Sequence, residues 1–185
     1  MSEAFPFWNS LHDLFDKDDG SFPEILINRL GGPGVIRGYS HIREKTKFLV
    51  GAPAFTGRRD GREKLLDSVP NAAEVVVSGA AEPFHFLARQ IVVDAGIIPE
   101  LGVFIFENAI ALDYQMGRQW SESTLEALFS LVRFLVRNGE NPVVTHEESD
   151  RPMARQRFEA AISRYLETPD EPFPKAVTGM QKRPI

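Results

Sequence analysis

Residues 101–138 constrain this chain more than any other stretch: two apolar runs, a polar turn, then a strongly amphipathic segment. Leu101, Val103 and Ile105 alternate with Gly102, Phe104 and Phe106, the period of two of a strand. Glu107 and Asn108 interrupt the run, and Asn tolerates the left-handed backbone of tight turns. Ile110, Leu112 and Tyr114 then alternate with Ala109, Ala111 and Asp113. A two-residue turn there puts Val103, Ile105, Ile110, Leu112 and Tyr114 on one face of a hairpin. Phe104 and Phe106 lie over Ala109 and Ala111 on the other, with Asp113 near the strand end. Two apolar faces predict a hairpin inside a sheet, covered at least partly on each side.

A helix should follow. Ser123-Thr124-Leu125-Glu126 fits a capping box. Leu125, Leu128, Phe129, Val132, Leu135 and Val136 fall on one helical stripe, widened by Leu131 and Phe134. Arg133 and Arg137 suit the C-terminal dipole, and Asn138-Gly139 supplies a stop.

Elsewhere the pattern predicts a short helix over 7–16 and a strand at Ile25–Ile27. Gly31 to Gly34 should break the chain before a second helix that ends near Lys45, and 48–50 should form a brief strand. Thr56 to Lys64 reads as an exposed loop, and Val75-Val76-Val77 as the centre of a strand over 74–78. Phe84 to Asp94 reads as two strands with a turn near Arg89-Gln90. A last strand is expected over 142–146, and a C-terminal helix from Pro152 through Leu166. Short strands joined by tight turns, with helices before and after, predict a single α+β domain: a mainly antiparallel sheet with helices packed on it. The domain should span 1–167. Residues 168–185, with prolines at 169, 172, 174 and 184, should form an extended arm.

Composition bounds the chemistry. With 185 residues, 43% of them hydrophobic, a core needs neither disulfides nor metals. There is no cysteine, hence no thiol nucleophile and no thiolate metal site. The start Met1-Ser2-Glu3-Ala4-Phe5-Pro6 lacks the form of a signal peptide, and no apolar run approaches the ~20 residues that span a bilayer. The expectation is a soluble cytoplasmic protein with no membrane partner.

Charge is uneven. Residues 1–28 carry six acids against Lys17, whereas 29–64 carry nine bases against three acids. Residues 65–150 hold thirteen acids against four bases. The basic segment could steer an acidic partner or phosphate. The plainer reading pairs it with the acidic remainder of the fold, and nucleic acid ranks last among partners.

No motif names a reaction. Gly32-Pro33-Gly34-Val35-Ile36-Arg37-Gly38 matches neither G-x-G-x-x-G nor a P-loop, and reads as turn glycines. Asp16 to Gly20 fails the calcium-loop spacing. His12, His41, His85 and His146 form no metal-ligand pair, and neither metal nor cofactor is expected. His146-Glu147-Glu148 reads as a strand-end surface cluster. No G-x-S-x-G elbow is present.

The leading candidate surface is Asp113 to Trp120, where Asp113, Tyr114, Met116, Arg118 and Trp120 combine side chains enriched at protein interfaces. The competing view has Trp120 plugging the core and Asp113 pairing locally. The expectation is a non-enzymatic macromolecule-binding domain, inhibitor- or immunity-like, with a protein partner. The alternative is a small-molecule or enzyme pocket using His85 and Asp113, with Asp94 or Glu107.

Overall fold

The structure, a computed structural model, describes residues 5–18, 20–147 and 152–168. The N-terminal elements are α1 (Trp8–Leu11), a 3-10 turn (His12–Leu14), β1 (Glu24–Asn28), α2 (Gly31–Lys45) and β2 (Thr46–Leu49). They are followed by β3 (Ala54–Thr56), β4 (Glu63–Leu65), a second 3-10 turn (Leu66–Ser68) and α3 (Ala72–Val77). The C-terminal half contains β5 (Phe84–Val93), β6 (Gly96–Ile105), β7 (Ile110–Asp113), α4 (Glu122–Arg137), β8 (Val143–Glu147) and α5 (Pro152–Glu167). The expected arm beyond 168 lies outside the described residues, as do Asp19 of the acidic turn and Glu148 beside Glu147.

Six strands form one antiparallel sheet in the order β2-β5-β6-β7-β1-β8, and β3 and β4 form a separate hairpin. This is the mixed α+β architecture that the pattern predicts. The β6–β7 register also follows it: Ile105 faces Ile110, Val103 faces Leu112, and Gly102 faces Asp113. The turn is Glu107-Asn108, closed by the Phe106 N–H donating to the Ala109 carbonyl at 3.0 Å.

Helices cover one face of the sheet, here the inner face. Tyr39 of α2 meets Phe84 and Phe86 edge-on, at centroid separations of 5.8 and 5.9 Å. Phe129 of α4 meets Phe158 and Tyr165 of α5 at 5.6 and 5.4 Å. Such edge-to-face pairs suit the ring quadrupole and add to area burial. Gly38 lets α2 approach closely, because a Cβ there would meet Ile110 Cδ1 at 2.7 Å and Leu135 Cδ2 at 2.8 Å. His41 stacks on Phe134 at 3.5 Å between α2 and α4, where burial first and Lys45 second hold its pKa below the usual imidazole value.

Four local expectations are corrected. Residues 72–77 are helical, not a strand: Asn71 caps α3 by accepting from the Ala73 N–H at 2.9 Å and the Glu74 N–H at 3.3 Å, and the cap outweighs the β preference of three valines. The glycines at 31–34 form the first turn of α2 rather than a break. Residues 84–93 are one strand. Gln90 adopts φ 53° opposite Pro99, which has no N–H to give the ladder. Buried positions accordingly switch from Phe84, Phe86 and Ala88 to Ile91 and Val93. The N-cap of α4 is Ser121, whose Oγ accepts from the Thr124 N–H at 3.3 Å, not Ser123.

Candidate functional site

Among the described residues no α-helix lies over the opposite, outer face of the sheet, and alternation sends a distinct set of side chains there. Glu24 begins β1 and stands opposite Asp113 on one side and Glu147 on the other, so three carboxylates form a row across β7, β1 and β8. The Glu24 carboxyl is raised above its usual pKa, by burial first and then by repulsion from Asp113 and Glu147. Its carboxylate has no hydrogen bond or ion pair among the described residues. Glu147 reaches Arg155 only at 3.8 Å.

Asp113 crosses β6 to meet His85 of β5, with Oδ2 and Nε2 3.1 Å apart. Gly102 makes this possible, since a Cβ at that position would collide with the Asp113 carboxylate. The His85 ring stacks on Phe104 at 4.1 Å, and Phe104 lies 6.0 Å from Phe106. Arg89 and Glu100, opposite one another on β5 and β6, form an ion pair that closes on itself.

Beside these groups lies a cleft of about 270 Å³. Phe22, Gly102, Asp113, Gln115, Gln119 and Trp120 line it, together with the Arg89–Glu100 pair. Phe22 is 64% exposed, unusually open for an aromatic side chain. Its position follows from Pro23, whose carbonyl accepts the Tyr114 N–H at 3.2 Å and thereby ties the loop before β1 to the end of β7.

The segment 113–120 divides between core and surface. Tyr114, Met116 and Trp120 are 1%, 1% and 5% exposed, so they do not project as free recognition side chains. Phe15 is the reason: its ring stacks on Tyr114 at 4.7 Å and lies 4.9 Å from Trp120, and its carbonyl accepts the Gly117 N–H at 2.7 Å. Trp120 Nε1–H donates to the Gln115 carbonyl at 2.9 Å. Arg118, Gln115 and Gln119 are exposed, and Asp113 faces the cleft.

Beneath the loop, Tyr114 Oη donates to the Leu14 carbonyl at 3.0 Å and lies 2.9 Å from His146 Nε2. This network assigns the imidazole proton to Nε2 and leaves Nδ1 buried without a partner. His146 is fully buried, and burial first and Arg155 second push its pKa down to about 4. The sequence placed it in a surface cluster, but its position opposite Ile25 turns it inward.

Of the alternative pocket groups, His85 and Asp113 come together and Asp94 does not. Asp94 occupies the β5–β6 turn, nine residues from His85 along one strand, or roughly 30 Å at strand rise. Glu107 pairs with Arg58 at 2.9 Å, and the same guanidinium reaches Glu82 at 3.1 Å, tying the small hairpin to the β6–β7 turn. Arg43 pairs with Asp67 at 2.6 Å and Lys64 with Asp60 at 3.1 Å, so part of the basic segment is neutralised within the fold.

The N-terminus of α2 is filled by the protein's own groups. The Gly31 N–H donates to Asn108 Oδ1 at 2.8 Å, and the Glu140 carboxylate packs against Gly31. No cluster of three or more metal-ligating side chains occurs among the described residues. Among them, too, no helix is long and apolar enough to cross a membrane. The sequence left Glu24, Phe22 and Gly102 unmarked, because their meaning depends on β1 lying beside β7, a pairing of distant segments.

Comparison with family models, with curated proteins and with solved structures finds no match, so the functional reading rests on this geometry.

Proposed function

We propose that the protein is a non-enzymatic binding domain, inhibitor- or immunity-like in kind, that engages a protein partner through the outer face of its sheet. One observation carries the reading: a broad sheet face that no helix of the described residues covers, which bears the His85–Phe104 stack and a cleft lined by exposed Phe22. Apolar surface rimmed by polar groups marks interaction sites on folded proteins. The surface centred on residues 113–120 contributes Asp113, Gln115, Arg118 and Gln119. Its aromatic members support the face from beneath.

Tagged wild-type protein and Phe22→Asp, compared as baits in host lysate, test this. A protein retained by the first and lost from the second supports the reading. Identical retention, or none, overturns it. Phe22 is exposed enough for the variant to keep its fold.

A second reading has its own observation. The His85–Asp113 pair at 3.1 Å, with Asp113 lining the cleft of about 270 Å³, offers an anchor for a small polar ligand. Stabilisation of wild-type protein by a metabolite, absent in His85→Ala, would favour it.

A further inference from the structure

We infer that the occupant of the outer face is a basic segment of a partner protein, with one arginine or lysine side chain seated in the cleft against Asp113. The inference rests on the protein-binding reading and specifies the partner's chemistry.

Charge complementarity carries it. Glu147, Glu24 and Asp113 stand in register across three adjacent strands, on the face that no helix of the described residues covers. Of the nearby cations, Arg89 is already engaged by Glu100 and Arg155 reaches Glu147 only at 3.8 Å, and the Glu24 carboxylate has no partner among the described residues. Like charges in a cross-strand row are destabilising. A chain that keeps three carboxylates there gives up some stability, which a cationic ligand would return. The same row repels phosphate, which argues for a basic protein segment over nucleic acid.

The cleft adds shape to charge. Its lining includes the Asp113 carboxylate, 19% exposed and lying over the side-chain-free Gly102, together with Phe22, the Gln115 and Gln119 amides and the Arg89–Glu100 pair. A carboxylate, two amides and an aromatic ring in one lining suit a guanidinium, which donates in plane and stacks on its faces. An extended segment along the carboxylate row would place further basic side chains near Glu24 and Glu147. Electrostatic attraction of this kind also speeds encounter and weakens with salt.

The test uses a fluorescein-labelled arginine-rich peptide of about six residues, an acidic peptide of equal length, and full-length protein. Titration followed by anisotropy should give saturable, salt-sensitive binding of the arginine peptide alone. Amide shift changes in wild-type protein should centre on Glu24, Asp113, Gln115 and Gln119, a readout that requires no variant to fold. The double variant Glu24→Gln, Asp113→Asn should weaken binding on the order of tenfold. The control Glu44→Gln, Glu74→Gln, on α2 and α3, should not.

Absence of binding, shift changes spread over all acidic surfaces, or equal binding by the double variant would overturn the inference. So would a concentration-dependent dimer in sedimentation that the double variant abolishes, which would assign the face to a second copy. If a host partner is lost with Phe22→Asp yet kept by the double variant, protein binding stands and the basic segment falls.

Discussion

Asp113 and His85 lie on strands that are not neighbours, and their side chains meet at 3.1 Å because Gly102 on the intervening strand offers nothing to block them. Gly102→Ala should therefore displace the carboxylate and separate the pair. The atom that an alanine methyl would meet is the movable end of a side chain, and Ala loses less backbone entropy than Gly on folding. Stability should change by no more than about 1 kcal/mol. NMR of the His85 ring, compared with Asp113→Asn, reads the separation. An unchanged His85 environment would contradict it.

Trp120 belongs to the core packed around Phe15, so its removal should be felt in folding. Trp120→Ala should lower unfolding free energy by about 3–5 kcal/mol, the range for deleting a buried aromatic ring. Urea denaturation measures it. A loss below about 1 kcal/mol would mean that the ring stands outside the core.

His146 should make the protein acid-sensitive. Its folded pKa, about 4, lies below the ordinary 6.5, so the unfolded chain takes up the proton first as pH falls. Stability from this group is intact above about 6.5, declines between 6.5 and 4, and is fully lost below 4. The loss totals roughly 3 kcal/mol. Protonation would also place an N–H at Nδ1 where no acceptor waits. Urea midpoints across pH 4–7 should fall for wild-type protein and be flatter for His146→Gln, which retains a donor toward Tyr114 without the charge. Parallel curves would remove His146 as the cause.

The start of α4 separates two serines. Ser121→Ala should cost about 1 kcal/mol by freeing the Thr124 N–H, whereas Ser123→Ala should stay within about 0.5 kcal/mol. Equal losses in thermal unfolding would return the cap to the Ser123 box.

What the sequence made legible was local. The β6–β7 hairpin, its Glu107-Asn108 turn and the apolar stripe of α4 each follow from periods of two or 3.6 within a short window. The misreadings were also local, where one signal hid another. Three valines concealed the Asn71 cap of α3, and a change of alternation at Gln90 looked like a turn. The site was legible only in part: Asp113 and His85 were singled out, but Glu24 and Glu147 join Asp113 only when β1 is inserted between β7 and β8. Nothing in a linear pattern announces that pairing. Tyr114 and Trp120 were readable as types favoured at interfaces, but only the position of Phe15 decides that they face inward.

The paired irregularity at Gln90 and Pro99 governs how this hairpin can change length. Two outward residues follow one another on each strand there, so excising both should leave every remaining side chain on its own side of the sheet. Excising either alone would set one half of the hairpin out of step with the other, turning Ile91 or Ile98 toward water. Insertions and deletions in this arm are tolerable only as matched couples.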